Sequence, residues 1–182
     1  MKLESQNVSL GTPAPTFLLP DGDGKTWSLS DVQGDKATLV AIICNHCPFV
    51  VHMIAAFSRF ASEYQPKGLG VVAISANDVS RYPADSPERM AEFARQHGFS
   101  FPYLYDESQE VARAFKAVCT PDLFLYDAEL KLAYAGQFDA SRPGMSAGNG
   151  EDLRRAADAV LTGNPVTQPH FPSVGCSIKW KP

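Results

Sequence analysis

Two short apolar runs, Thr16-Phe17-Leu18-Leu19 and Lys25-Thr26-Trp27-Ser28-Leu29, flank Pro20-Asp21-Gly22-Asp23-Gly24. Apolar runs on either side of an Asp-Gly turn predict a β-hairpin. The Asp/Gly stretch lacks the third acidic position and the closing Glu of a calcium loop, so it reads as a turn. Residues 37–43 are apolar almost without interruption, as expected of a central strand covered on both faces. Val50, Met53, Ile54, Phe57, Phe60, Ala61 and Tyr64 then recur at three- and four-residue steps, predicting a long helix that Pro66-Lys67-Gly68 ends. Residues 69–75 predict a second buried strand. Ser86-Pro87 supplies an N-cap and a first-turn proline for a helix with Met90, Phe93, Ala94 and His97 on one side and Gly98 at its stop. Residues 101–105 predict a short strand, and residues 109–118 a helix with Val111, Ala114, Phe115 and Val118 inward.

The pattern then changes. Residues 123–126, a turn at Asp127-Ala128-Glu129 and residues 130–136 predict an antiparallel hairpin. Asn149-Gly150 caps a last helix carrying Leu153, Ala156, Ala157, Val160 and Leu161. Residues 164–182 form a proline-punctuated arm with little regular structure. Strand–helix–strand units followed by a hairpin and a helix predict an α/β fold, a mixed central sheet with helices on both faces. The chain divides into an N-terminal hairpin extension (1–36), a core (37–163) and an irregular C-terminal arm (164–182) of one domain.

Composition narrows the function classes. The 182 residues are 45% hydrophobic and 20% charged, as in a globular domain. Sixteen basic against twenty acidic residues give a net charge of −4, which offers no footprint for nucleic acid or anionic lipid, so neither is expected as a partner. No apolar run reaches the length of a membrane span. The first residues hold no apolar signal core, so the cytoplasm is expected. There, four unevenly spaced cysteines do not make a disulfide framework. They are buried, metal-bound or chemically active.

Cys44-Asn45-His46-Cys47-Pro48 lies between the buried strand and the long helix. A Cys-x-x-Cys pair can close a small disulfide ring and reopen it by exchange. Pro48 suits the first helical position, which makes Cys47 the N-cap. Unpaired N–H groups and the helix dipole favour a thiolate there. Cys47 is therefore assigned as the acidic nucleophile and Cys44 as its partner, although in many such motifs the first Cys attacks. His46 is either an imidazolium that favours the Cys47 thiolate or a solvated loop residue. A zinc site lacks a second ligand pair, because Cys119, Cys176, His52 and His97 show no such spacing. Pro48 in place of His excludes a c-type haem motif. No metal or cofactor is expected.

Residues 39–48 leading into a helix, with Thr120-Pro121 ahead of a strand, resemble the thioredoxin fold. The resemblance implies a cis proline at Pro121 facing the redox motif. Gly11-Thr12-Pro13-Ala14-Pro15-Thr16-Phe17 resembles the N-terminal extension of the peroxiredoxin and thioredoxin-like reductase branch. Cys44-Asn45-His46-Cys47-Pro48, Val118-Cys119-Thr120-Pro121-Asp122 and Pro172-Ser173-Val174-Gly175-Cys176-Ser177-Ile178-Lys179-Trp180 are similar to a bacterial group of thioredoxin-family proteins. These motifs extend over nearly the whole chain. The departures matter. Thioredoxins carry Trp before the first Cys and Gly-Pro between the pair, and neither is present. Thioredoxin-like reductases place their first Cys where Cys47 stands and their second at Val50. Peroxiredoxins place a Cys-Pro at this helix start, with Thr where this chain has Cys44, and use a later Arg, for which Arg142 is the implied counterpart. The site is a hybrid, a peroxiredoxin-like Cys position with a thioredoxin-like dithiol.

The expected activity is thiol–disulfide oxidoreduction. The Cys47 thiolate attacks a disulfide-bearing protein or small molecule, Cys44 resolves the mixed disulfide, and a cellular thiol reductant restores the dithiol. Thr120 and Pro121 are expected to present backbone groups to an extended substrate by strand addition. The alternative is a thiol peroxidase, in which Cys47 attacks a peroxide and Cys44 or Cys176 resolves the sulfenic acid. A non-catalytic redox sensor or binding module is the third reading. Cys119 either approaches the motif through the Pro121 loop or fills the core. Cys176 either resolves Cys47 chemistry from a folded-back arm or belongs to an arm anchored by Ile178 and Trp180.

Overall fold

The computed structural model describes residues 1–182. Strands β1 (Lys2–Glu4), β2 (Leu18–Pro20) and β3 (Thr26–Ser28) precede the short helix α1 (Leu29–Val32). β2 and β3 pair as the expected hairpin. Leu29 leaves it for α1, because Ser28 and Asp31 close a capping box. β4 (Ala37–Ile42), α2 (Pro48–Tyr64), β5 (Leu69–Ser75), α3 (Pro87–Gln96) and β6 (Tyr103–Tyr105) follow. After the small helix α4 (Glu110–Ala114) come β7 (Cys119–Thr120), β8 (Asp122–Asp127), β9 (Leu132–Gly136), α5 (Glu151–Leu161) and β10 (Val174–Ser177).

The central five-stranded sheet runs β6-β5-β4-β8-β9. β4 is parallel to β5 and β5 to β6, whereas β4–β8 and β8–β9 are antiparallel. The mixed sheet is as expected. Every residue of β4 is buried, and strand alternation divides them between two cores. Leu39 and Ala41 pack with Ile54, Phe57 and Phe60 of α2, Met90 of α3 and Leu153 of α5. Val40 and Ile42 face Leu29, Ala112, Phe115 and Ile178 on the other side. Each fully buried Phe, Leu or Ile there contributes roughly 1.5–3 kcal/mol. The N-terminus of α2 is therefore held at the end of β4 by packing at both ends of the connecting loop.

One expectation is corrected. The helix foreseen over residues 109–118 is confined to Glu110–Ala114. Lys116 takes a left-handed φ of 60° and ends it, so Ala112, Phe115 and Ala117 turn inward while Ala114 is exposed. The C-terminal arm has little regular structure, as expected, except at Val174–Ser177. β10 is the middle strand of a second sheet, β1-β10-β7, which also takes in an N-terminal strand with no sequence signal of its own. Lys2 stands opposite Cys176, and Cys176 opposite Thr120. The two ends of the chain thus meet beside the redox motif.

Candidate active site

At the end of β4, Ile43 N–H still bonds to the Ile74 carbonyl, and the chain then turns through Cys44 towards α2. Cys47 is the N-cap, with extended backbone (φ −69°, ψ 123°), and Pro48 occupies the first turn. The Cys47 carbonyl accepts the Val51 N–H at 2.9 Å. The Val50 N–H lies towards the Cys47 sulfur, too loosely for a capping hydrogen bond but oriented to favour a thiolate.

All four cysteines are free, and Cys44, Cys47 and Cys119 are buried. The Cys47 thiol is lowered to about 4, first by hydrogen bonding from Cys44, then by Cys176, Thr120 and the Val50 N–H, against the opposing effect of burial. Hydrogen bonds to a charged group contribute about 1.5–3 kcal/mol each, so several donors together outweigh the desolvation of one soft thiolate. In its thiol form Cys47 donates to the Thr120 carbonyl at 3.2 Å. That carbonyl opposes ionisation, one dipole against several donors. Cys44 moves the other way, well above the ordinary thiol value, through its bond to Cys47, its burial and the charge of Asp85. The expected division, acidic Cys47 with Cys44 as partner, is the one this electrostatic arrangement favours.

His46 turns away from that role. Its Nδ1 is 2.5 Å from Asp85 Oδ2, and its ring stacks on Tyr82 with centroids 5.6 Å apart. Asp85, fully buried, also accepts the Asn45 N–H at 2.8 Å and the Asn77 Nδ2–H at 2.9 Å. Cys44, His46 and Asp85 offer ligand-type atoms within 4.8 Å of one another. The carboxylate is nevertheless spent on three hydrogen bonds, one of them to His46 itself, so the group reads as a charge hub that braces the motif loop. Sequence reasoning missed Asp85 and Asn77. The Ser86-Pro87 helix start next to Asp85 was visible, but nothing in it marks that aspartate as a partner of His46.

Thr120-Pro121 is a cis peptide bond, as the resemblance implied, and brings both thiols against Thr120. The Thr120 hydroxyl lies 3.5 Å from Cys44 Sγ. The strand edge expected to receive substrate is already filled, however, because β10 pairs with β7 from within the same chain. Strand addition at Thr120 is therefore satisfied in cis. Ile178 is buried in the core on the far side of the central sheet, and Trp180 carries the Arg113 guanidinium 4.1 Å above its ring. Cys119 is enclosed, and its thiol donates to the Pro121 carbonyl at 3.6 Å. Strand alternation points it away from the face that Thr120 shares with Cys44, and burial pushes it up, the nearby Asp122 adding to the rise.

Arg142 donates to the carbonyls of Asp139 and Ser141 and to Gln137 Oε1, not to a thiol. It lines a small cavity of about 30 Å³ with Phe49, His52, Pro121 and Val174. That space holds a molecule the size of water or a little larger. His52 Nε2 meets Ser141 Oγ there at 3.0 Å. The structure thus gathers Cys44, Cys47, Thr120, Pro121 and Cys176, leaves Arg142 on an adjoining wall, and sets His46 and Cys119 aside.

The AhpC/TSA family model matches residues 10–135. A solved structure of a conserved protein from Geobacillus kaustophilus is 50% identical, covering 100% of this chain and 97% of that one, with a TM-score of 0.96. A Mycobacterium tuberculosis protein named as a peroxiredoxin is 33% identical over 114 residues, 63% of this chain and 68% of that protein. The thiol-disulfide oxidoreductase ResA of Bacillus thuringiensis is 22% identical over 129 residues, 71% and 70% of the two chains.

Proposed function

We propose that this chain, which belongs to the AhpC/TSA family, is a thiol–disulfide oxidoreductase in which Cys47 is the nucleophile and Cys44 the resolving thiol. The observation that carries the reading is the pair at the start of α2, with Cys47 driven towards thiolate and Cys44 held protonated beside it. Attack by Cys47 on a substrate disulfide forms a mixed disulfide and expels one thiolate. Cys44 then gives up its proton and attacks Cys47 Sγ, displacing the substrate thiolate, which takes up the proton; a Cys44–Cys47 disulfide and reduced substrate remain. A thiol reductant returns the pair to the dithiol. Cys47 and Cys44 are 0% and 1% exposed, which favours small or slender disulfides over bulky protein ones.

The test is reduction of a small disulfide by the full chain with a dithiol reductant. Cys47→Ser should abolish turnover, and Cys44→Ser should accumulate the mixed disulfide on Cys47. Turnover that survives Cys47→Ser would overturn the assignment. A second reading, peroxide reduction at Cys47, is favoured by the enclosure of that thiol and by the small cavity beside Pro121 and Arg142. Peroxide consumption by the reduced chain orders of magnitude faster than by a free thiol would support it. Arg142→Ala should then slow peroxide reduction more than disulfide reduction.

A further inference from the structure

The mechanism above uses two of the thiols gathered at Thr120 and leaves the third idle. Cys176 stands directly opposite Thr120 in an antiparallel pair, and residues so placed project to the same face with their Cβ atoms about 4.5–5.5 Å apart. That face is the thiol side, because the Thr120 hydroxyl meets Cys44 Sγ at 3.5 Å. Cys176 accordingly packs against the core that contains Cys44 and Cys47, where its thiol favours the Cys47 thiolate.

The strand is built to lie there. A β carbon on Gly175 would fall 1.9 Å from the Thr120 carbonyl oxygen, so only glycine lets the backbone press this closely on the peptide before Pro121. On one side the buried Ser173 hydroxyl bonds to the Gly136 carbonyl. On the other, Ile178 N–H bonds to the Val118 carbonyl and Lys179 N–H to Asn77 Oδ1. An extended segment bearing a cysteine, added to the strand before Pro121 and facing the nucleophile, is what strand addition of a disulfide substrate would look like.

We propose that Cys176 is a third redox cysteine and that β10 occupies the substrate position in cis, so that the oxidised chain exchanges between Cys44–Cys47 and Cys47–Cys176 disulfides. The inference rests on the oxidoreductase reading. In the exchange, the Cys176 thiolate attacks Cys47 Sγ, the Cys44–Cys47 bond breaks, and Cys44 leaves and takes up the proton that Cys176 released. One disulfide is consumed and one formed, so no outside oxidant or reductant is needed. The Cys47–Cys176 bond staples β10 over the nucleophile and closes it to substrate. The Cys44–Cys47 bond leaves β10 held by noncovalent contacts alone.

The experiment is disulfide mapping of the full chain by mass spectrometry after one equivalent of diamide, acid quench and alkylation. Cys44→Ser, with Cys44→Ala carried alongside in case one variant folds poorly, should yield an intramolecular Cys47–Cys176 disulfide and cut alkylation of Cys176 by at least about tenfold, as expected when the partner thiol is held at high effective concentration. If both variants give only intermolecular dimers or oxidised Cys47 with Cys176 still alkylated, the inference is overturned. Cys176→Ser separates the two claims. A Cys44–Cys47 disulfide in that variant leaves the oxidoreductase reading standing whatever Cys176 does, and its absence strikes at that reading itself.

Discussion

Cys47 and Cys119 are equally enclosed, at 0% exposure each, and both touch the Thr120-Pro121 loop, yet their thiols are driven in opposite directions. Burial alone would raise both. Cys119 follows that rule. It has one long bond to a carbonyl and the buried carboxyl of Asp122 nearby. Cys47 departs from it because hydrogen-bond donors converge on its sulfur from four separate segments: the motif loop, the first turn of α2, β7 and β10. A reactive thiol here is made by what points at it, and enclosure then strengthens those interactions.

The contrast is broken most severely by removing the nucleophile. Cys47→Ser should lower the rate of disulfide reduction by roughly 10³-fold or more, as read from initial rates with a small disulfide. The pH profile sharpens the contrast next. With its thiol lowered to about 4, Cys47 should react with iodoacetamide at a rate nearly constant from roughly pH 5 to pH 8 and falling only below that window. A rate still climbing through pH 8 would contradict the donor arrangement. Cys44→Ala removes the largest favourable contribution to the thiolate and should move the midpoint upward by about one to two pH units, since such a bond is worth about 1.5–3 kcal/mol.

Asp122 supplies a stability test on the Cys119 side. Its carboxyl, nearly fully buried with one long bond from Val118 N–H at 3.4 Å, is raised to about 8 by desolvation. A carboxyl raised in the folded state is neutral and harmless below the unfolded value, and it costs stability progressively as pH rises towards about 8. Asp122→Asn should therefore improve the melting temperature more at about pH 9 than at about pH 5, by several degrees. An equal change at both values would show that Asp122 stays ionised. The smallest effect is expected of Cys119→Ala, which removes one buried sulfur and should cost no more than about 1–2 kcal/mol while leaving the Cys47 pH profile in place. Chemical denaturation together with the labelling profile checks both halves.

Much of the site was readable before the fold was known. Pro48 after Cys47, at the junction of a buried strand and a helical repeat, marked the helix start and hence the more acidic thiol, because capping is decided within a few residues. The continuous apolar run of β4 and the three- and four-residue steps in α2 are equally local and agree with the structure within one or two residues. The extent of α4 was misjudged, since apolar spacing continues past Ala114 while Lys116 turns the backbone into the left-handed region.

Local pattern alone is enough to set a strand, a Cys-x-x-Cys loop and a long helix in succession, with Cys47 at the helix start. Long-range packing, in contrast, brings Asp85 to brace His46 from 39 residues away and lays β10 along Thr120 with Cys176 on the thiol side. The physical reason is one of range. Periodicity and capping are set by neighbours a few residues apart. Register between β7 and β10, and the meeting of β1 with β10, come from packing two ends of the chain against one sheet, and shifting that register by one residue would turn Cys176 away from Cys47.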